Sequence, residues 1–243
     1  MKTLHRLFIQ VRFLILIPLS ILLWGTGGIL LSYFDPGGHR VYNWIGRTWT
    51  RIVLVICGVR IVVHGKENLT VNDGPFVVIF NHQSYVDIPV IVQSLPLQLR
   101  FVGKRDLLKV PFFGGTASRS GHIFIERSNP RDSLKGLREA GNAMRELGVS
   151  IVMAPEGTRS TTGDLLPFKK GAFILALEAG LPILPVIIQG SREIMPKGSY
   201  TSLGGTVRVT VCKPIPTSDY TYAERNLLLE KVKGVMESQL KVT

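Results

Sequence analysis

From Val59 onward, short apolar runs alternate with longer segments of helical period, and this alternation confines the chain to an α/β sheet whose strands are covered by helices. The runs predict strands near 60–63, 76–80, 99–102, 122–125, 150–154, 183–188 and 207–212. Helices fit between them, best over 130–147, 170–179 and 223–240, and Thr221 with Glu224 offers the last of these a capping box.

The one shift in composition falls near residue 58, which divides the chain into 1–58 and a domain over 59–243. No charged residue occurs from Phe13 to Phe34. As a helix this stretch would extend roughly 33 Å, about the thickness of a bilayer's hydrocarbon core. Pro18, Gly25, Gly27 and Gly28 weaken it as a continuous helix. Basic residues flank it on both sides, Lys2, Arg6 and Arg12 before and Arg40, Arg47 and Arg51 after, so charge gives no inside and outside. After the turn signal Asp35-Pro-Gly-Gly38, residues 39–58 place those three later arginines within about 40° on a helical wheel. Val41, Trp44, Ile45, Trp49, Ile52 and Ile56 fill a neighbouring arc. A basic stripe beside tryptophans is the pattern of a helix lying in a membrane interface. The expectation is a membrane-associated helical hairpin over 1–58. A helix packed on the protein core is one competing reading and a cleaved signal peptide another, against which the apolar residues that follow Gly25-Thr-Gly27 count.

The formal net charge of +12 implies an anionic partner: nucleic acid, an acidic lipid surface, an acidic carrier protein or a phosphorylated substrate. Cys57 and Cys212 stand in apolar surroundings, which suggests buried thiols rather than a disulfide or zinc site. No GxSxG elbow, Walker loop or GxGxxG fingerprint appears, which argues against common serine lipases, P-loop enzymes and dinucleotide enzymes. No recognition motif supports a nucleic-acid module.

Three predicted strand ends carry candidate chemistry. In Asn81-His-Gln-Ser-Tyr-Val-Asp87, His82 can take a proton from a hydroxyl while Asp87 fixes its tautomer. The same residues also suit helix capping, with Asp87 as N-cap or partner of Ser84. On a regular helix, positions 82 and 87 lie about 140° apart, so a dyad requires a break from helix between or beside them. Gly121-His-Ile-Phe-Ile-Glu-Arg127 and Ala154-Pro-Glu-Gly-Thr-Arg159 end in arginines able to grip a phosphate, with amides around Gly157 as further donors. In an open α/β sheet, loops at the carboxyl ends of strands collect the ligand site. Lys104, after another strand, adds positive charge, while His122 reads as a strand residue.

Taken together, NHQSYVD, GHIFIERS, APEGTRS and Leu184-Pro-Val-Ile187, with Phe168-Lys-Lys-Gly-Ala-Phe173, resemble the ordered motif blocks of the glycerolipid acyltransferase family, especially its 1-acyl-glycerol-3-phosphate acyltransferases. The match covers roughly residues 75 to 190; nothing in 191–243 matches a motif. The resemblance implies that His82 is the general base and Asp87 its partner. It implies that Arg127 and Arg159 hold the acceptor phosphate, that Glu156, Gly157 and Thr158 shape the acceptor site, and that Lys104 is a further basic position. The implied reaction is attack by the free hydroxyl of lysophosphatidic acid on a fatty acyl thioester of coenzyme A or acyl carrier protein, giving phosphatidic acid, with no metal or redox cofactor. Other lyso-lipids or glycerol 3-phosphate are alternative acceptors, and a non-catalytic protein that binds anionic membrane is an alternative of another class. Because such a donor is cytosolic, the resemblance implies a hairpin dipping into one leaflet of the cell membrane, with the α/β domain on the cytoplasmic face.

Overall fold

A computed structural model of the chain describes residues 2–34, 39–69, 74–125, 141, 145–199 and 201–241. Two helices, α1 (Lys2–Ser32) and α2 (His39–Cys57), precede a seven-stranded sheet. The strands are β1 (Val59–His64), β2 (Val77–Phe80), β3 (Leu99–Lys104), β4 (Ile123–Ile125), β5 (Ser150–Met153), β6 (Ile183–Gln189) and β7 (Gly205–Val211). Each overlaps one of the runs expected from sequence. Their spatial order is β1-β7-β6-β2-β5-β3-β4. Five run parallel from β6 to β4; β7 is antiparallel to β6, and β1 is parallel to β7.

Strand β2 lies at the centre, with all of Val77–Phe80 buried, as an apolar run without polar alternation requires. Its residues divide between two cores according to the two-residue period of a strand. Val78 and Phe80 pack with α2 and with α3 (Asp87–Ser94), whereas Val77 and Ile79 pack with helices from later in the chain. A short helix, α4 (Phe113–Arg119), precedes β4; the later helices are α5 (Gly171–Ala179), α6 (Ser191–Ile194) and α7 (Arg225–Lys241). α5 and α7 match the expected spans closely. Most of the helix expected over 130–147 lies outside the described residues. Only half of the expected capping box forms: the Thr221 N–H and hydroxyl both donate to Glu224 Oε2, at 2.8 and 2.7 Å, and α7 begins at Arg225.

The N-terminal pair departs from expectation in two ways. First, α1 is continuous through Pro18 and its glycines. Gly25 and Gly28 are contact points for α4: a Cβ on Gly25 would fall 2.9 Å from Phe112 Cβ, and one on Gly28 would fall 2.7 Å from Thr116 Cγ2. The Thr116 hydroxyl donates to the Gly25 carbonyl at 2.7 Å. Second, the basic stripe of α2 is divided. Arg51 is exposed, but Arg47 turns inward and donates to the carbonyls of Val92, Leu95 and Leu97 at 2.8–2.9 Å, in and just beyond the last turn of α3. Arg12 likewise donates to Val55 and Ile56 at the end of α2. Carbonyls left without helical partners, at the negative end of the helix dipole, favour such cations. Trp49 is also turned inward, its ring centroid 6.0 Å from that of Phe113 with the planes tilted at 47°, and its Nε1–H donating to Ser20, whereas Trp44 is exposed.

α1 nevertheless keeps a long apolar outer face, and Leu7–Ser32 meets the length and composition of a membrane-crossing helix. It is a candidate membrane segment. Val53, Leu54 and Cys57 of α2 enter the core of the sheet domain, and both cysteines are buried and free.

Candidate active site

Where β2 ends, the main chain leaves the sheet but one side chain continues the ladder. Asn81 Nδ2–H donates to the Ile188 carbonyl at 2.8 Å, and the Ile188 N–H donates to Asn81 Oδ1 at 2.7 Å. His82 follows in irregular backbone, and helix resumes at Asp87. This is the break that the five-residue spacing demands. His82 Nδ1 lies 2.7 Å from Asp87 Oδ2. The carboxylate is fully buried and the imidazole 22% exposed, so the pair faces outward from the imidazole side alone.

The same oxygen also accepts the N–H groups of Gln83 and Ser84, at 2.7 and 2.8 Å. Capping chemistry and the dyad are therefore one arrangement, although Val86 rather than Asp87 occupies the N-cap. With an acid as its acceptor, Nδ1 carries the proton, a tautomer assigned from its partner. That leaves Nε2, which has no hydrogen-bond partner among the described residues, with its lone pair outward.

The loop after β5 meets this turn from the adjacent strand. Buried Glu156 accepts the His82 N–H on Oε1 at 2.9 Å and the Leu166 N–H on Oε2 at 3.0 Å. Burial raises its pKa above the ordinary value, opposed by the two amide bonds. The Ser160 N–H adds a 2.7 Å bond to the His82 carbonyl. His82 is thus held through both its N–H and its carbonyl. Gly157 sits at φ +68°, a left-handed turn, and a Cβ there would approach Lys169 Nζ to 3.0 Å. Thr158 is exposed. Arg159 swings back over the histidine turn, its Cζ 3.6 Å from the Tyr85 ring centroid. Its Nη1 is buried with no hydrogen-bond partner among the described residues.

The structure therefore brings together His82, Asp87, Glu156, Gly157, Thr158 and Arg159. Lys104 ends β3, two strands from β2, roughly 10 Å across the sheet on the same edge. It is exposed and paired with Asp106. Arg127 lies outside the described residues; the strand before it, β4, registers Ile125 against Lys104. His122 stands at the opposite, amino-terminal end of β4, accepting the Phe101 N–H at 3.3 Å, and burial beside Arg100 lowers its pKa to about 3. It lies just before β4 rather than within the strand expected to hold it, and its bond is to the main chain of β3.

Sequence reasoning missed Lys197, whose Nζ reaches Thr158 Oγ1 and the Arg159 carbonyl at 3.2 Å each. It lies in the motif-free region, and only the fold reveals it. Tyr85 was visible within its block but carried no assigned task.

A family model described as acyltransferase matches residues 60–189. A chloroplastic 1-acyl-sn-glycerol-3-phosphate acyltransferase of Brassica napus is 35% identical over 80% of this chain, and its Arabidopsis thaliana counterpart is similarly related. The chain spans only 56% and 54% of those two proteins. A 1-acyl-sn-glycerol-3-phosphate acyltransferase of Saccharomyces cerevisiae is 31% identical, and the chain covers 76% of it. The crystal structure of a 1-acyl-sn-glycerophosphate acyltransferase from Thermotoga maritima superposes with a TM-score of 0.82 at 26% identity, covering 99% of this chain and 97% of that one.

Proposed function

The chain belongs to the acyltransferase family, and from that premise we propose that it transfers a fatty acyl group from a thioester to the free sn-2 hydroxyl of lysophosphatidic acid, forming phosphatidic acid. The observation that carries this reading is the His82–Asp87 pair, with Nε2 open and Arg159 stacked over the same turn. An alcohol next to a phosphate needs both a base and a fixed cation.

In the proposed reaction, Nε2 takes the hydroxyl proton as the oxygen attacks the thioester carbonyl. The C–O bond forms, the tetrahedral oxyanion collapses with cleavage of the C–S bond, and the imidazolium returns its proton to the departing thiolate. Buried Asp87 stabilises the imidazolium in between. A thioester is already activated, so no protein nucleophile is required, and acid–base chemistry balances the reaction without metal or redox cofactor. Arg159 holds the phosphate, aided by Lys104 and Arg127. Glu156 acts through His82, whose amide it fixes, while Gly157 and Thr158 shape the turn that presents Arg159.

The donor in this reading is acyl-CoA or acyl carrier protein. The protein sits as a monotopic or peripheral protein at the cell membrane with its α/β domain on the cytoplasmic side, where an anionic acceptor in the lipid and a soluble donor are both within reach. The apolar outer face of α1 and the net charge of +12 support this placement.

Purified protein offered lysophosphatidic acid, glycerol 3-phosphate and other lyso-acceptors, each with labelled acyl thioesters, tests the proposal. Phosphatidic acid is the expected main product. A preference for a phosphate-free acceptor overturns the assignment of Arg159.

A further inference from the structure

Between β3 and α4 runs a segment, Arg105–Lys109 and onward to Phe113, that the reaction does not use. Its first part is a short 3-10 turn. Leu107, Val110 and Phe112 are 41, 39 and 48% exposed, three apolar side chains left uncovered by the described residues. Phe112 has φ 60°, the one non-glycine residue with positive φ among those described. The Phe113 N–H folds back to the Pro111 carbonyl at 2.6 Å, a tight γ-turn that thrusts Phe112 outward. A bulky residue held in such backbone marks a position kept for a purpose other than folding.

Two further observations say what the cluster meets. It is continuous with the outer face of α1: Phe112 packs its backbone on Gly25, and the neighbouring Leu22, Leu23 and Leu30 are exposed. It is also flanked by exposed Lys104, Arg105, Lys109 and Arg119, against one acid, Asp106, among the described residues from 99 to 125. Apolar tips beside basic residues match the boundary between acyl chains and anionic headgroups.

We infer that residues 105–113 are a second membrane-contact element, inserted into an anionic phospholipid surface alongside α1. Because the segment starts directly after Lys104, on the sheet edge that carries His82, it draws the mouth of the site onto the lipid. The inference rests on the membrane reading of α1, and its test separates the two.

Full-length protein is mixed with vesicles of phosphatidylcholine and phosphatidylglycerol and floated. A chain that stays at the bottom overturns both readings. On protein that floats, a polarity-sensitive fluorophore is placed through Val110→Cys or, as a control across the domain, Ser218→Cys. The native thiols do not compete: both are buried, and burial pushes Cys212 up to about 11. The V110C label is expected to shift to the blue and be quenched by nitroxides on the lipid chains, with the S218C label unaffected. Equal, water-like behaviour at the two sites leaves only α1 in the bilayer and sinks the inference. Shielding of the V110C label in detergent that rises with protein concentration assigns the patch to a second copy instead. L107D/F112D is expected to lower turnover of vesicle-borne acceptor about tenfold, while a short-chain soluble acceptor is used normally. Equal loss on both acceptors refutes a membrane role.

Discussion

The main-chain N–H of His82 is bonded to the side chain of Glu156, 2.9 Å away on the loop of the neighbouring strand. His82 is therefore positioned from β5 as well as from its own turn. Glu156→Ala leaves two part-buried N–H groups, of His82 and Leu166, without their acceptor, at a cost of at most about 1–3 kcal/mol each. We expect a lower denaturation midpoint and reduced kcat with little change in acceptor KM. Glu156→Gln, which keeps one acceptor, should recover part of both. A variant that loses only acceptor affinity would show that the carboxylate faces substrate.

Asp87→Asn keeps an oxygen for the Gln83 and Ser84 amides but removes the charge that fixes the His82 tautomer. Turnover should fall about 10²- to 10⁴-fold while the fold persists, and His82→Ala should fall at least as far. Single-turnover rates beside circular dichroism decide this, and full activity in either variant removes the dyad from the reaction.

Tyr85 is the platform for Arg159. A cation–π contact contributes about 0.5–2 kcal/mol. Tyr85→Ala should therefore raise acceptor KM several-fold with kcat largely kept, whereas Tyr85→Phe, which retains the ring, should behave as wild type. Arg159→Ala should show the larger KM effect. If the alanine and phenylalanine variants at position 85 are alike, the stacking has no role in binding.

The three glycines of α1 differ in what surrounds them. A methyl group on Gly25 or Gly28 collides with α4, but one on Gly27 meets nothing within 4 Å. Gly27→Ala should be neutral or stabilising by up to about 1 kcal/mol through helix propensity. Gly25→Ala and Gly28→Ala should lower the melting temperature in micelles, and equal effects at all three positions would mean that α4 does not dock there.

His122 supplies a pH dependence. It lines a small cavity with Ile21, Trp24 and Tyr42, and its folded pKa of about 3 lies below the ordinary 6.5. Between those values the unfolded chain binds a proton that the folded chain does not, so stability falls as pH drops below 6.5, by at most about 1.4 kcal/mol per pH unit. Burial raises Glu156 and works in the opposite sense, so the quantity to measure is the difference between wild type and His122→Leu. Urea midpoints from pH 7 to 5 should fall more steeply in wild type; parallel curves would count against the assignment.

The sheet was legible because its central strands are apolar on both faces: Val77–Phe80 and 183–188 announce themselves by composition. The dyad was legible as a pair of residue types, and its spacing even foretold the irregular turn. Three things were hidden. Arg47 reads as a membrane-facing charge until the fold places the end of α3 beside it. Gly25 and Gly28 read as helix weakeners, since their contact partners lie some 90 positions away in sequence. Lys197 belongs to no motif, because its partners are the Thr158 hydroxyl and a main-chain carbonyl, and a long flexible side chain can reach these from many sequence positions.

Arg47 also has a mechanical consequence. Helix α3 is only about 12 Å long; Asp87 stands at one end, and the Arg47 clamp closes the other. Through α3 the N-terminal helices are joined to the carboxylate behind His82, by the Arg47 clamp and by Gln93, whose Nε2 donates to the Arg47 carbonyl at 2.7 Å and to the Thr50 hydroxyl at 2.9 Å. A fragment trimmed to begin at β1 would lose those bonds at the far end of α3, while the core packing of Val90 and Ile91 and the Gln83 and Ser84 amides on Asp87 would remain.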